Sequence, residues 1–251
     1  MPRMSQNKKT FELMASRGCP FSCGFCSRVS GKKVFHRSVQ RVIEDIALLK
    51  KEYGVEEFWF LDESFTVDRE WVEQFCYSVI EKSLGIAFTC STRVNLIDKH
   101  ILALLKKAGC ISVSFGLESY NQDVLDSMKK GITLAQVDAA LRACLEADIQ
   151  PLITYMIGYP GETLKSIYDT VEFVFLSSRG KFVNDYFVPL PGSDIYDELR
   201  AQGKITDEDT YLQNLPEHFD RPYINVTDLK NLELEIFPQL VFKKLQQRKT
   251  S

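Results

Sequence analysis

The 251-residue sequence predicts an α/β protein, a partial (β/α)6 barrel of parallel strands followed by a helical C-terminal extension. Apolar, β-rich runs alternate with helical periodicity, at a spacing of roughly 25–35 residues. Residues at the C-terminal ends of those runs are unusually polar, and the alternation stops near Pro191. Strand–helix alternation implies parallel strands joined by right-handed crossovers. Such architectures collect ligands at the C-terminal ends of their strands.

The first strand is expected at 11–15. Val39, Val42, Ile43, Ile46 and Leu49 then form one apolar helical stripe. Strands follow at 57–61 and 87–92, and Asp98 can cap a helix that Gly109 closes. The fourth strand is expected at 112–116. After it, Thr133 and Gln136 resemble a capping box ahead of a stripe of Val137, Ala140, Leu141 and Cys144. The last two strands fall at 152–157 and 184–188. Beyond them, 194–202 reads as a short helix and 206–222 as polar and irregular. The stretch 226–248 carries helical spacing through Leu229, Leu232, Ile236, Leu240 and Leu245. The expected domains are therefore 1–196, the barrel, and 197–251, the helical extension.

Strand alternation assigns faces. Ser112, Ser114, Gly116 and Glu118 share one side of the fourth strand, with Val113, Phe115 and Leu117 on the other. Thr89, Ser91 and Arg93 oppose Phe88 and Cys90 in the same way. The apolar faces are expected against helices. The polar faces should line an accessible lumen, wide enough for a cofactor and a substrate.

Composition excludes several classes. An apolar content of 45% and a charged content of 26% are those of an ordinary soluble globular chain. With 31 basic and 34 acidic residues the net charge is −3, so no polyanion-binding surface and no nucleic-acid partner is expected. No apolar run approaches the roughly 18–20 residues needed to span a bilayer. The first residues lack the apolar core of a secretory signal. Seven cysteines, an odd number with three clustered, do not read as a disulfide framework, so a cytoplasmic location is expected.

The chemistry centres on RGCPFSCGFCSR, which sets Cys19, Cys23 and Cys26 at C-x3-C-x2-C spacing. A 4Fe–4S cluster normally takes four protein thiolates. One held by three keeps an iron open to an outside ligand, as a catalytic metal site does. A structural zinc site with His36 as fourth ligand is the rival, but the paired C-x2-C knuckles typical of zinc are missing. Cys76, Cys90, Cys110 and Cys144 sit in apolar positions and read as core residues.

With Phe25 before its last cysteine and a strand ahead of it, this motif resembles the radical S-adenosylmethionine (radical SAM) superfamily. The resemblance runs from about Phe11 to Tyr196. FWFLDESFTVDREWV, FGLESYNQDVLDSMKKGIT and YMIGYPGET are similar to the branch associated with cobalamin-binding domains. It implies a TIM-like partial barrel with two cofactors, a 4Fe–4S cluster on Cys19, Cys23 and Cys26, and S-adenosylmethionine on its open iron. It further implies that Asp62, Glu63 and Ser64 meet the methionyl ammonium and Arg93 the methionyl carboxylate. Glu118 and Ser119 would meet the ribose, and Phe25, Ile157 and Gly158 the adenine. A one-residue change of register exchanges the inward member of Asp62-Glu63-Ser64, which stays open. Arg93 and Glu118 could instead form a structural ion pair.

The implied activity is reductive cleavage of S-adenosylmethionine followed by hydrogen-atom abstraction from a substrate, a small molecule being slightly favoured. A low-potential electron donor of flavodoxin or ferredoxin type is the expected partner. Methyl-transferring members carry a cobalamin domain ahead of the cysteines, whereas eighteen residues precede Cys19 here. Cobalamin-dependent methyl transfer is thus the alternative, with cobalamin supplied elsewhere. A non-catalytic iron–sulfur electron carrier is another.

Overall fold

The computed structural model describes residues 8–178 and 181–250, with the side chains of 249 and 250 left out. The segment 1–7, where no secretory signal was expected, lies outside the described residues. In chain order the strands are β1 (Thr10–Leu13), β2 (Ser16–Arg17), β3 (Phe35–His36), β4 (Glu57–Phe60), β5 (Ala87–Thr92), β6 (Cys110–Glu118), β7 (Gln150–Ile157) and β8 (Phe182–Tyr186). The helices are α1 (Val39–Tyr53), α2 (Arg69–Glu81), α3 (Lys99–Lys107), α4 (Gln122–Ser127), α5 (Leu134–Glu146), α6 (Leu164–Ser177), α7 (Asp194–Ala201), α8 (Glu208–Gln213) and α9 (Asn231–Thr250).

One six-stranded sheet runs in the order β1-β4-β5-β6-β7-β8, and β2 and β3 form a separate antiparallel pair. The ladders β1–β4, β4–β5 and β5–β6 are parallel. This is the α/β, partial (β/α)6 barrel class that the alternation predicts. The β2–β3 pair went unforeseen because two-residue strands carry no readable periodicity.

The described residues divide into two compact units. The first holds the chain up to Pro20 with Ser30–Gly116 and Ala135–Ile153; the second holds Phe21–Val29, Leu117–Leu134 and everything from Thr154 on. In the first unit the strand register sets the two faces. Glu12 stands opposite Trp59, Trp59 opposite Thr89, and Thr89 opposite Ser112, with Ser91 beside Ser114 in the next row. The other face carries Phe58, Phe60, Phe88, Cys90 and Val113, all buried. Phe60, Phe65, Phe75 and Phe88 pack there in edge and tilted contacts with ring centroids 4.7–6.2 Å apart. Each such ring contributes about 1.5–3 kcal/mol on burial.

The helices begin where capping side chains occur. Ser38, Asp68 and Asp98 each accept a backbone N–H at the start of α1, α2 and α3. Gly109 follows α3 at φ +102°, and a Cβ there would lie 2.0 Å from the Ile86 carbonyl oxygen. No other residue type fits.

In the second unit, reciprocal bonds between Thr163 and Ser166 cap α6. An apolar cluster joins Val124, Met128, Tyr159, Phe187, Tyr196 and Tyr211. Two sequence expectations need correction here. The stretch 206–222 contains α8, started by Asp207. The helix expected from 226 begins at Asn231, and its inward face is Leu234, Val241 and Leu245. Of the expected stripe Leu232, Ile236 and Leu240 are exposed, at 66%, 40% and 57%. α9 carries apolar residues on both sides, so spacing alone could not choose the buried one. No helix among the described residues is long and apolar enough to cross a membrane.

Candidate active site

The cysteine loop follows β2. Gly18 precedes it at φ +98°, with the Lys33 carbonyl oxygen 2.1 Å from where a Cβ would sit. The Cys19 amide donates to Gly31 O at 3.1 Å. Further along, the Cys26 amide donates to Cys23 O (3.2 Å), turning the chain so that Cys23 is buried and Cys26 exposed. The peptide around Gly24 is fastened on both sides: its N–H donates to Met128 O (2.8 Å), and its carbonyl accepts from Ile195 N (3.1 Å). All three cysteines are free thiols. Among the described residues no group of three or more Cys, His, Asp or Glu side chains is placed to hold a metal ion, although the Cys23 and Cys26 side chains are within hydrogen-bond reach of each other. As a donor set, three thiols in eight residues suit an iron–sulfur cluster. His36, the rival ligand, stacks on Trp71 with centroids 5.5 Å apart.

In the first unit, β4 ends in Asp62-Glu63-Ser64, and these three diverge. Asp62 is 3% exposed. Its Oδ2 accepts from Ala15 N at 3.0 Å, and its Oδ1 accepts from the Ser16 hydroxyl. Burial pushes its carboxyl above the usual range, opposed by those donors. Ser64 is buried 3.4 Å from the Thr92 hydroxyl. Glu63 alone is exposed. After β5, Arg93 is buried and its Nε donates to Asn95 Oδ1 at 3.3 Å.

In the second unit, β6 ends at Glu118, whose φ of +68° is uncommon for a residue with a side chain. Its Oε1 lies 2.6 Å from Lys130 Nζ, and the side chains are 12% and 7% exposed. Glu118 thus has a buried counter-ion in Lys130. Lys130 also stands 5.3 Å from the centroid of Phe25, which packs against the apolar cluster. Ser119 is fully buried, 3.3 Å from the Thr170 hydroxyl. Ile157 is buried, and its carbonyl accepts from Phe187 N at 2.7 Å. Gly158 follows at φ +97°, where an added Cβ would stand 3.4 Å from Leu234 Cδ2.

Three residues here escaped the sequence reading. Lys130 sits in a pair of adjacent lysines, of which Lys129 is exposed; nothing in the pattern says which one turns inward. Glu162, in GYPGET, is 3% exposed, and its Oε2 accepts from the amides of Gly158 (2.6 Å) and Tyr159 (3.3 Å). Burial raises its carboxyl from 4.5 to about 7, against those two bonds. Asp185 on β8 is also raised, by burial and then by Glu118. For Glu162 and Asp185 the signal was a charged residue near a strand end, too common to single out.

The sequence profile of the Radical SAM superfamily matches residues 13–174. The chain belongs to that family. Its cofactors are a 4Fe–4S cluster and S-adenosylmethionine. Over 195 residues the chain is 36% identical to an uncharacterized methyltransferase of Pyrococcus horikoshii, an alignment covering 77% of this chain and 42% of that protein. Over 208 residues it is 30% identical to the anaerobic magnesium-protoporphyrin IX monomethyl ester cyclase of Rubrivivax gelatinosus, covering 82% and 38%. Its fold matches the radical S-adenosylmethionine methyltransferase TsrM of Kitasatospora setae, solved with cobalamin and a 4Fe–4S cluster. That match has a TM-score of 0.71 at 18% identity and covers 79% of this chain and 41% of the other. This radical SAM chain thus spans about two-fifths of the length of the curated relatives it matches, 42% and 38%.

Proposed function

We propose that this chain is the catalytic core of a radical SAM enzyme that reductively cleaves S-adenosylmethionine and abstracts a hydrogen atom from a substrate of unassigned class. One observation carries the reading: the stretch that holds Cys23 and Cys26 is docked by its Gly24 peptide next to Met128, within the same unit as the buried Glu118–Lys130 pair. When bound, the cluster supplies the electron that splits the cofactor into methionine and the 5′-deoxyadenosyl radical. Cys19, Cys23 and Cys26 would hold the irons.

The chain's other residues would bind and orient. Among Asp62, Glu63 and Ser64, Glu63 is the carboxylate left for the methionyl ammonium, since both oxygens of Asp62 are occupied within the chain. Arg93 would take the methionyl carboxylate. Glu118, with Ser119 behind it, would take the ribose hydroxyls, and Lys130 would hold the Glu118 side chain in place. Phe25, Ile157 and Gly158 would bound the adenine. We keep residues 1–196 as the catalytic domain and 197–251 as its extension. A flavodoxin- or ferredoxin-type donor would deliver the electron, in a reducing cytoplasm suited to seven free cysteines.

The test is anaerobic reconstitution with iron and sulfide, dithionite reduction, and chromatography for 5′-deoxyadenosine. The expected result is 5′-deoxyadenosine from the wild type and none from a Cys23→Ala variant. An intact cluster yielding no 5′-deoxyadenosine would favour the electron-carrier reading. The likeness to longer methyltransferases, of which the match covers 42% and 41%, favours one second reading, methyl transfer with cobalamin held by further chain or by a partner. Added methylcobalamin would then give a methylated product, with label from the S-methyl group of the cofactor.

A further inference from the structure

The charge of this chain is unevenly spread. Six of its 31 basic residues and none of its 34 acidic ones fall from Leu13 to Ile43, the stretch that carries the cysteine motif. The remainder is correspondingly acidic. Three of the six cations are neutralised locally: Arg28 pairs with Asp194 at 2.9 Å, and Arg37 and Arg41 both pair with Asp45. Arg17, Lys32 and Lys33 are exposed and have no ion-pair partner among the described residues.

These three lie together in the first unit. Arg17 stands opposite Phe35 in the β2–β3 pair, and Lys33 Nζ lies 5.0 Å from the centroid of the Phe35 ring. Beside them a cavity of about 280 Å³ is lined by Met14, Arg17, Phe35, His36 and Arg37, with Met14 and Phe35 exposed. An apolar centre with a polar rim is the anatomy of a protein–protein contact. The surface is also fastened to the cysteine loop. The Cys19 amide donates to Gly31 O at 3.1 Å, and the Lys33 carbonyl closes on Gly18 so tightly that no Cβ fits between them. A molecule seated on Arg17, Lys32 and Lys33 therefore sits beside Cys19.

We propose that the β2–β3 pair and the 31–33 turn form the docking surface for the electron donor, which meets it with an acidic face. This rests on the reading of the chain as a radical SAM enzyme. Charge selects the place: an acidic protein is repelled by the acidic remainder of the chain and drawn to the stretch free of carboxylates. One electron leaves the donor's reduced flavin or iron–sulfur centre and passes to the cysteine-held cluster, with no bond formed or broken at the contact. Nucleic-acid binding builds on many phosphate contacts, and three free cations are few. The exposed Met14 and Phe35 suit a protein better.

The test compares two reductants, because dithionite acts without docking and a protein donor must bind. Calorimetry of purified flavodoxin or ferredoxin on the reconstituted wild type should show an affinity that falls on the order of tenfold between about 0.05 and 0.5 M salt. In Arg17→Glu combined with Lys32→Glu, donor affinity at low salt should fall on the order of tenfold or more, and donor-driven formation of 5′-deoxyadenosine should fall with it. Dithionite-driven formation should stay at the wild-type level. Lys82→Glu, an exposed charge reversal after α2, should change none of these.

Unchanged donor affinity in the double variant overturns the proposal. So does an equal loss in Lys82→Glu, which is an effect of net charge, or a matching loss with dithionite, which places the damage in the cysteine loop. A wild type that binds neither donor overturns it too, and an oligonucleotide held by Arg17 and Lys32 would then give the surface to nucleic acid. A wild type that binds a donor through these cations but yields no 5′-deoxyadenosine with dithionite sinks the radical SAM reading and the electron-transfer role, leaving a contact for an acidic protein only.

Discussion

Two buried carboxylates, Asp62 after β4 and Glu162 after β7, complete strand ends in different ways. Asp62 uses both oxygens within the chain, on Ala15 N and on the Ser16 hydroxyl, and so staples the end of β4 to the segment just before the cysteine loop. Glu162 uses one oxygen on two amides, and its other oxygen has no hydrogen-bond partner among the described residues. A closed carboxylate is scaffold; an incompletely satisfied one retains capacity for function. The contrast also separates Asp62 from Glu63, adjacent in sequence and opposite in exposure.

Glu118 belongs with the closed group because its own chain supplies the counter-ion. The largest stability loss should therefore come from Lys130→Met, which keeps the volume and strands Glu118 as an unpaired buried charge. Breaking a buried pair on one side costs about 3–5 kcal/mol. Urea denaturation should show that loss, and Glu118→Gln combined with Lys130→Met should recover much of it. A single variant within 1 kcal/mol of wild type, roughly the worth of an exposed pair, would place the pair in solvent.

Glu162 yields the next effect, and its sign differs from that of an ordinary ion-paired carboxylate. Its folded value of about 7 lies above the ordinary 4.5, so the folded chain binds an extra proton between those values. Stability is then greatest below about 4.5, falls as pH rises through the window, and levels off above about 7, by on the order of 3 kcal/mol. Glu162→Gln should remove that slope from the denaturation midpoint. An unchanged slope would mean that another group carries it.

The fold was legible because alternation in the strands and spacing in the helices are repeated signals that corroborate one another. Thr89 beside Ser112, and Ser91 beside Ser114, fall on one face as period two demands. The cysteine motif was legible because its chemistry requires fixed spacing. The fates of Asp62, Glu63 and Ser64 were not, because a difference of one residue decides exposure and only the bonds to Ala15 and Ser16 settle it. Lys130 was invisible for the same reason, and Glu162 because a carboxylate before a helix reads as a surface residue of its first turn. α9 misled because apolar residues on both its sides make the moment uninformative.

The Asp62–Glu63 contrast gives a paired prediction. Asp62→Ala removes two buried bonds and should cost about 2 kcal/mol, with iron incorporation lowered because the chain ahead of Cys19 loses its tether. Glu63→Gln, at an exposed position, should leave stability within about 0.5 kcal/mol while weakening S-adenosylmethionine binding on the order of tenfold. Calorimetry of cofactor binding beside denaturation separates the two. If the effects exchange places, the ammonium contact belongs to Asp62.

The smallest effect is expected at Ser119, and it divides the ribose assignment. Its hydroxyl is buried 3.3 Å from Thr170 Oγ1, which also accepts from the Tyr120 amide at 2.8 Å. Ser119→Ala keeps that second bond, so it should cost only about 0.5–1.5 kcal/mol. A hydroxyl that supports the strand end without touching the nucleoside would leave cofactor affinity unchanged when removed. The ribose would then fall to Glu118, which has φ +68° and pairs with Lys130. A several-fold rise in the S-adenosylmethionine dissociation constant at unchanged stability would instead restore Ser119 to the contact.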